Sequence, residues 1–216
     1  MKGRQGKLCS VNGRNLDAAA PRCEICLLAG GSSSRLGTDK SRLRLGGRTL
    51  LGRVRAAANA TGLPTRVIRA DLVPRCGPLG GVYTALATSR AETLLFLPCD
   101  MPFLSAELLK ALIRRLRGGK KALFVEANGR IGFPFLLRRT TVAVVQRQLA
   151  GGNFSLRTLA RRLRARIIRL PHRRARELFN VNTADDWKTA RERWRHMMNK
   201  GWSHKNIQHP TLNFEL

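Results

Sequence analysis

A cluster of glycines, serines and cations follows a short apolar run near the start of the chain. The run covers residues 23–29, and the cluster extends over residues 30–40. Glycines let backbone N–H groups wrap an anion, and Arg35 and Lys40 supply positive charge for phosphate oxygens. A solvated surface turn has a similar composition. Lys40 comes three residues after Gly37, which excludes a P-loop, and the glycine spacing excludes the dinucleotide-binding pattern GxGxxG.

A carboxylate, Asp100, closely follows a second apolar run at residues 93–98. Ligands of open α/β sheets bind at the carboxyl ends of the strands. One carboxylate at such an edge can hold Mg²⁺ while triphosphate oxygens and water complete the octahedron. Taken alone, Asp100 fits a helix cap or a turn residue equally well.

Short apolar runs alternate along the chain with helical patterns of ten to fifteen residues, which is typical of βαβ units. The fold class is therefore α/β, with a mainly parallel sheet covered on both faces. Asn128 and Gly129 join two apolar runs and predict a small antiparallel hairpin. The predicted strands are 23–29, 66–70, 93–98, 122–126, 166–170 and 178–181. The predicted helices are 49–60, 79–89, 105–116, 140–149, 155–164 and one that starts near Thr183.

The length of 216 residues and the hydrophobic content of 43% fit a single domain. We assign it to residues 22–196. Residues 1–21 form a basic N-terminal extension without apolar periodicity, and residues 197–216 form a poorly ordered tail. No apolar run approaches the length of about 20 residues that spans a membrane. The N-terminus lacks the apolar stretch of a secretory signal, so we expect a cytoplasmic protein.

The formal net charge of +28 attracts polyanions whatever the fold beneath it. Arginines are spread over nearly every segment, however, and one Tyr and eight Phe leave little for base stacking. A compositional bias of the source genome gives the same charge. We therefore expect no specific nucleic-acid partner.

The five cysteines have no repeated spacing, which argues against a disulfide framework. Cys23 and Cys26 form a lone CxxC inside a predicted strand, and we interpret them as packing residues.

The first loop, LAGGSSSRLGTDK, resembles the signature LAGGxSxRxGxDK of the molybdenum cofactor guanylyltransferases, with Leu36 where that family usually has Met. Related cytidylyl and sugar-phosphate transferases usually carry Ala-Ala-Gly at the second to fourth positions. The resemblance implies that Arg35 and Lys40 hold the phosphates as catalytic residues, and that five others contact the nucleotide: Leu28, Ala29, Gly30, Gly31 and Ser33.

Three further segments resemble the same family, in the family's order. LFLPCDMPF contains Asp100, which by the resemblance is a catalytic residue that binds the metal and the nucleotide. DLVPRCGPLGG implies nucleotide contacts for Asp71, Gly77 and Pro78. FNVNTADDW implies pterin contacts for Asn180 and Asn182, although Thr183 and Asp186 also fit a plain helix cap.

The resemblance implies a three-layer Rossmann-like nucleotidyltransferase fold, Mg²⁺ as cofactor, and GTP and molybdopterin or molybdenum cofactor as substrates. Proteins that deliver or accept the cofactor are further expected partners. One alternative is a cytidylyl or sugar-phosphate nucleotidyltransferase. Another is a basic nucleotide- or nucleic-acid-binding protein that lost catalysis.

The segment between residue 60 and Asp71 departs from the family pattern. The family usually has two strands there and an Asn that contacts the nucleotide, whereas this chain has room for one strand and has no Asn. This departure affects which nucleotide base the protein selects.

Overall fold

The computed structural model describes residues 22–29, 43–73, 76–116 and 119–199. Five of the predicted site residues lie outside these ranges: Gly30, Gly31, Ser33, Arg35 and Lys40. The predicted extension 1–21 and residues 200–216 also lie outside them.

Eight strands form a six-stranded sheet and a separate hairpin. They are β1 (Cys23–Leu28), β2 (Arg44–Leu45), β3 (Arg48–Thr49), β4 (Thr65–Ile68), β5 (Thr93–Pro98), β6 (Ala122–Ala127), β7 (Arg130–Arg138) and β8 (Arg166–Arg169). The large sheet has the order β4-β1-β5-β7-β6-β8. Only β7 is antiparallel to its neighbours; the other pairs, β1 with β4, β1 with β5 and β6 with β8, are parallel. This confirms the predicted mainly parallel sheet with an antiparallel insertion.

Helices cover both faces of the sheet. They are α1 (Leu50–Asn59), α2 (Pro78–Thr88), α3 (Ala106–Arg115), α4 (Val142–Ala150), α5 (Leu156–Arg162), α6 (His172–Ala175) and α7 (Ala184–Asn199). Hydroxyl side chains cap several of them, as the sequence predicts for Thr49 and Ser105. Thr49 accepts a hydrogen bond of 3.0 Å from the N–H of Gly52, and Ser105 accepts one of 3.2 Å from Leu108.

The core lies on both faces of the sheet because successive side chains of a strand point to opposite faces. In β1, Cys26 and Leu28 join the cluster under α2, α4 and α5, whereas Ile25 and Leu27 join the cluster under α1 and α3. All four are buried. The three-layer α/β architecture follows from this double burial.

The hairpin between β6 and β7 confirms the prediction from the Asn-Gly pair. Asn128 has φ of +50° and Gly129 has φ of +70°. Positive φ at both central residues defines a type I′ turn, whose twist matches that of the two strands.

A third core cluster, which we call the C-terminal cluster, consists of Leu45, Leu50, Val181, Ala190 and Trp194. It packs α7 against the β2–β3 hairpin, an element that our sequence analysis did not predict. The contact is close: a Cβ placed on Gly46 would lie 2.4 Å from the Trp194 ring. The Arg53 guanidinium stacks 3.6 Å from the centre of that ring.

The predicted strand at residues 178–181 is wrong. Arg176–Leu178 form a 3-10 turn, and the residues after it belong to neither sheet. Phe179 and Val181 alternate inward as in a strand, but they pack into and against the C-terminal cluster. Helix α7 also runs to Asn199, three residues beyond the boundary predicted at 196.

The sheet ends at β4 on one side, and β4 is the single strand between α1 and Asp71. The shortened segment seen in the sequence therefore appears as one edge strand. No helix in the described ranges is long and apolar enough to cross a membrane.

Candidate functional site

Three parallel strands end side by side at what we call the carboxyl edge of the sheet. Leu28 pairs with Ile68 of β4 and with Pro98 of β5, and the N–H of Ala29 donates a 2.9 Å hydrogen bond to the carbonyl of Ile68. Leu28 and Ala29 therefore lie between the segments that carry the two acidic side chains of the site. This is the edge at which open α/β sheets bind ligands.

Asp71 lies against the first turn of α2. A Cβ on Gly80 would be 2.9 Å from its Oδ2, and a Cβ on Gly81 would be 3.2 Å from its Oδ1 and 3.1 Å from Cδ2 of Leu28. Only glycines permit this approach of the carboxylate and β1 to the helix. Burial raises the pKa of Asp71 above its ordinary value.

The backbone around Asp71 is held by Thr84. Its hydroxyl accepts a 2.8 Å hydrogen bond from the N–H of Leu72 and donates one of 2.9 Å to the carbonyl of Gly80. The loop after β4 is thereby fastened to α2, and Asp71 has a defined position.

Gly77 and Pro78 start α2 and are both exposed. Gly77 has φ of +56°, a conformation that L side chains rarely adopt, and Pro78 occupies the first helical turn, where its missing N–H costs nothing. The amino end of an 11-residue helix therefore faces solvent beside Leu28 and Asp71. The partial positive charge of such an end favours anions.

Asp100 follows β5 by two residues and is half-buried, with its Oδ1 atom shielded from solvent. Its carbonyl oxygen accepts a 2.9 Å hydrogen bond from the N–H of Val181. This bond brings the C-terminal segment to the carboxyl edge.

Asn180 and Asn182 flank Val181, whose side chain is completely buried. Asn180 is exposed and Asn182 is half-buried. Because alternate side chains of an extended segment point to opposite sides, burial of Val181 turns its two neighbours away from the core. Both asparagines therefore lie close along the chain to the anchor on Asp100.

Thr183 and Asp186 form a helix cap, the structural alternative considered from the sequence. Asp186 Oδ2 accepts hydrogen bonds from the N–H groups of Asn182 (3.0 Å) and Thr183 (2.8 Å), and Thr183 Oγ1 accepts one from Asp186 (3.1 Å). This reciprocal arrangement is a capping box. It orders the backbone of the asparagine segment.

Glu177 is a residue that our sequence analysis missed. It ties the start of α3 to the turn that precedes the asparagine segment. Its Oε2 accepts hydrogen bonds from both the hydroxyl and the N–H of Ser105, the latter of 3.1 Å, and its Oε1 pairs with Arg174 at 3.2 Å. Burial raises the pKa of Glu177, against the lowering effect of Ser105 and Arg174. The only hint in the sequence is that Glu177 is the first acidic residue after a long, arginine-rich stretch that contains none.

Two described residues flank segment 30–42. Its first neighbour is Ala29 at the end of β1, and its second is Leu43, which packs against the C-terminal cluster and accepts a 3.2 Å hydrogen bond from the N–H of Leu50. The residues that flank the glycine- and serine-rich segment therefore lie at the carboxyl edge and beside α7.

The described residues contain no group of three His, Cys, Asp or Glu side chains that could hold a metal unaided. A lone carboxylate at Asp100 fits Mg²⁺, which keeps several waters and is commonly bound through one or two carboxylates and substrate phosphates. The two strand cysteines are buried free thiols, and burial raises the pKa of Cys23 to about 11 and of Cys26 to about 12. They are packing residues, as predicted.

Comparison with known proteins agrees with this architecture. In solved structures, the fold matches molybdopterin-guanine dinucleotide biosynthesis protein A from Archaeoglobus fulgidus with a TM-score of 0.62 and 21% identity, covering 81% of this chain and 100% of that one. It also matches the 4-diphosphocytidyl-2C-methyl-D-erythritol synthase of Anaerococcus prevotii, with a TM-score of 0.63 and 14% identity over 81% of this chain and 99% of that one.

Curated sequences give closer matches. The chain is 32% identical to the "Probable molybdenum cofactor guanylyltransferase" of Opitutus terrae over 203 residues, which cover 84% of this chain and all of that protein. It is 32% identical to the molybdenum cofactor guanylyltransferase of Xanthomonas euvesicatoria, covering 74% of this chain and 90% of that protein. The family profile described as "MobA-like NTP transferase domain" matches residues 25–71 and 59–168. The chain belongs to the MobA-like NTP transferase family and is a nucleotidyltransferase.

Proposed function

We propose that this protein is a molybdenum cofactor guanylyltransferase that transfers GMP from GTP to the terminal phosphate of molybdopterin or molybdenum cofactor. The observation that supports this most is the meeting of Asp100 with the asparagine segment through the Val181 hydrogen bond. It brings together a carboxylate for the nucleotide side and two amides for the acceptor side. The names of the curated relatives point to the same reaction.

The reaction forms one bond and breaks one. A phosphate oxygen of the acceptor attacks the α-phosphorus of GTP, and the bond from that phosphorus to the oxygen bridging the β-phosphate breaks. Pyrophosphate leaves, and the product is a guanine dinucleotide. Positioning and charge neutralisation carry this type of transfer, so little covalent chemistry is required of the protein.

Each site segment has a role in this scheme. Leu28, Ala29 and the loop after them, with Gly30, Gly31 and Ser33, line the nucleotide, and Arg35 and Lys40 hold its phosphates. Asp71, Gly77 and Pro78 complete the nucleotide side. Asp100 would hold Mg²⁺, which neutralises charge on the triphosphate when it is bound. Asn180 and Asn182 orient the acceptor. We place this activity in the cytoplasm.

The test is thermal stabilisation by GTP, CTP, UTP and ATP, each with and without Mg²⁺. A ligand well above its dissociation constant should stabilise the protein by roughly 2 to 4 kcal/mol. We expect this for GTP with Mg²⁺ and expect its loss in Asp100→Ala. The exposed Glu192→Ala serves as the matched control, because it removes one carboxylate outside the site.

Turnover is measured as pyrophosphate release from GTP with molybdopterin as acceptor. Removal of Arg35 or Lys40 should lower it by at least ~100-fold. Preference for CTP or UTP would assign the chain to a related cytidylyl or sugar-phosphate transferase. The comparison of bases is needed because the segment before Asp71, which affects the choice of base, has a single strand. No stabilisation by any nucleotide would overturn the catalytic proposal.

A further inference from the structure

The edge of the sheet opposite the site carries a row of exposed cationic side chains. We call it the amino edge, because β1, β5, β6 and β8 begin there and the antiparallel β7 ends there. Cys23 pairs with Thr93, Thr93 pairs with Arg138, and Leu123 pairs with Arg166. This register aligns the residues just outside the strand ends in one row across the sheet.

Most residues of this row are cations. Backbone hydrogen bonds join its members: Thr93 N–H to Arg22 carbonyl, Arg139 N–H to Glu92 carbonyl and Arg138 N–H to Lys121 carbonyl. The Arg166 guanidinium reaches the carbonyl of Arg115 at the end of α3. We define the amino-edge row by its exposed cations, Arg22, Arg114, Lys120, Lys121, Arg139 and Arg166.

Acidic side chains do not balance this row. The two acids next to it are already paired, Glu24 with Arg66 at 3.1 Å and Glu92 with Arg138. Other acids of the described strands lie at the opposite edge: Asp71 and Asp100 follow β4 and β5, and Glu126 is near the carboxyl end of β6. The exposed cations of this row therefore have no neighbouring acid left to pair with among the described residues next to it.

The dimensions of the row fit a phosphate backbone. It crosses five strands, and four spacings of about 4.8 Å give a length of about 19 Å. That length equals the rise of about six base pairs along the axis of a duplex. A cavity of about 400 Å³ opens within the row, lined by Arg22, Arg114 and Arg138 and by Glu92, which pairs with Arg138. Guanidinium groups bind phosphate oxygens in bidentate geometry, which suits them to such a ligand.

We propose that the amino edge is a second binding surface, which takes the phosphodiester backbone of a nucleic-acid duplex without reading its sequence. The surface is separate from the site for GTP, so both ligands bind at the same time. The high arginine content of the chain thus has a role beyond composition at this edge.

The test uses fluorescence anisotropy of the full chain with labelled DNA and RNA duplexes of about 20 base pairs, longer than the row. The variant carries Arg114→Ser, Lys120→Ser, Lys121→Ser and Arg139→Ser. The control removes the same charge from exposed helix positions with Arg55→Ser, Arg147→Ser, Arg191→Ser and Arg195→Ser. We expect the variant to bind at least ~100-fold more weakly at low salt and its salt slope to fall by about 4.

Equal losses in the variant and the control would overturn the proposal, because binding would then follow net charge alone. Displacement of the duplex by GTP with Mg²⁺, at constant ionic strength, would also overturn it. So would equal binding of poly-glutamate, which would point to an acidic protein partner. The DNA and RNA arms distinguish the two sources of the backbone. Circular dichroism establishes that both quadruple variants are folded.

Discussion

The N–H of Val181 donates a hydrogen bond to the carbonyl oxygen of Asp100, and the Val181 side chain is completely buried behind it. The hydrogen bond and the buried side chain reinforce each other, because the buried side chain prevents the extended segment from moving away from the carboxyl end of β5. The position of Asn180 and Asn182 depends on this anchor.

Val181→Ala should therefore weaken acceptor binding more than nucleotide binding. Loss of two buried methyl groups should cost about 2 kcal/mol of unfolding free energy, measured in urea. The KM for molybdopterin should rise while that for GTP changes little. Val144→Ala, on α4 and packed against a different cluster, is the control. An equal rise of both KM values would contradict this account of the segment.

Gly80→Ala should displace the Asp71 carboxylate. The new Cβ would lie 2.7 Å from the Val73 carbonyl and 2.9 Å from Asp71 Oδ2, and backbone cannot move aside cheaply. We expect a loss of about 1 to 3 kcal/mol in stability and weaker stabilisation by GTP. Gly151→Ala, whose nearest contact is 3.5 Å, should be neutral or slightly stabilising in the same thermal assay. Retained GTP stabilisation in Gly80→Ala would exclude this packing role.

Gly46→Ala and Gly47→Ala form a matched pair that isolates the contact with Trp194. Both glycines have positive φ, +54° and +79°, so either substitution adds backbone strain of roughly 1 to 2 kcal/mol. Only the Cβ at Gly46 meets the Trp194 ring, whereas that at Gly47 meets open space. Urea denaturation should show a further loss of about 1 to 3 kcal/mol for Gly46→Ala. Equal losses of unfolding free energy in the two variants would mean that the Trp194 ring moves aside without an energetic cost.

Glu177 should make stability depend on pH in a defined direction. Burial raises its pKa, so the native state holds the proton more tightly than the unfolded state does. The stability of the protein relative to Glu177→Gln should be greatest in acid. It should decline as pH rises from the ordinary glutamate pKa to the raised one, and be level above that. Denaturation across this range, with the exposed Glu192→Gln as a control for charge, measures the difference. A relative stability that rises with pH would show that Ser105 and Arg174 outweigh burial.

The large sheet could be predicted because its strands carry strong local signals. The apolar runs of β1 and β5 are buried on both faces, so their sequences are continuous rather than alternating. The pair Asn128 and Gly129 is a strong signal for a two-residue hairpin turn, because both positions of that turn require positive φ. Caps at Thr49 and Ser105 mark the starts of α1 and α3 within a residue.

Elements that depend on distant contacts could not be predicted. The strands of the β2–β3 hairpin have two residues each, too few for any periodicity, and they are positioned by Trp194 nearly 150 residues later in the chain. Residues 178–181 have the alternation of a strand but pair with no strand. At the site, Asp71 and Asp100 were predicted by resemblance, whereas Glu177 acts through Ser105, 72 residues away.

The C-terminal cluster also bears on the order in which substrates bind. One small core holds Leu45, beyond the segment that resembles the phosphate loop, and Val181, which anchors the acceptor segment. A ligand that fixes the position of one of these two core residues should therefore lower the entropic cost of fixing the other. By linkage, GTP should tighten acceptor binding by the same factor with which the acceptor tightens GTP binding. We therefore expect positive heterotropic cooperativity between the two halves of the site, measured as the change in KM for one substrate when the other is present.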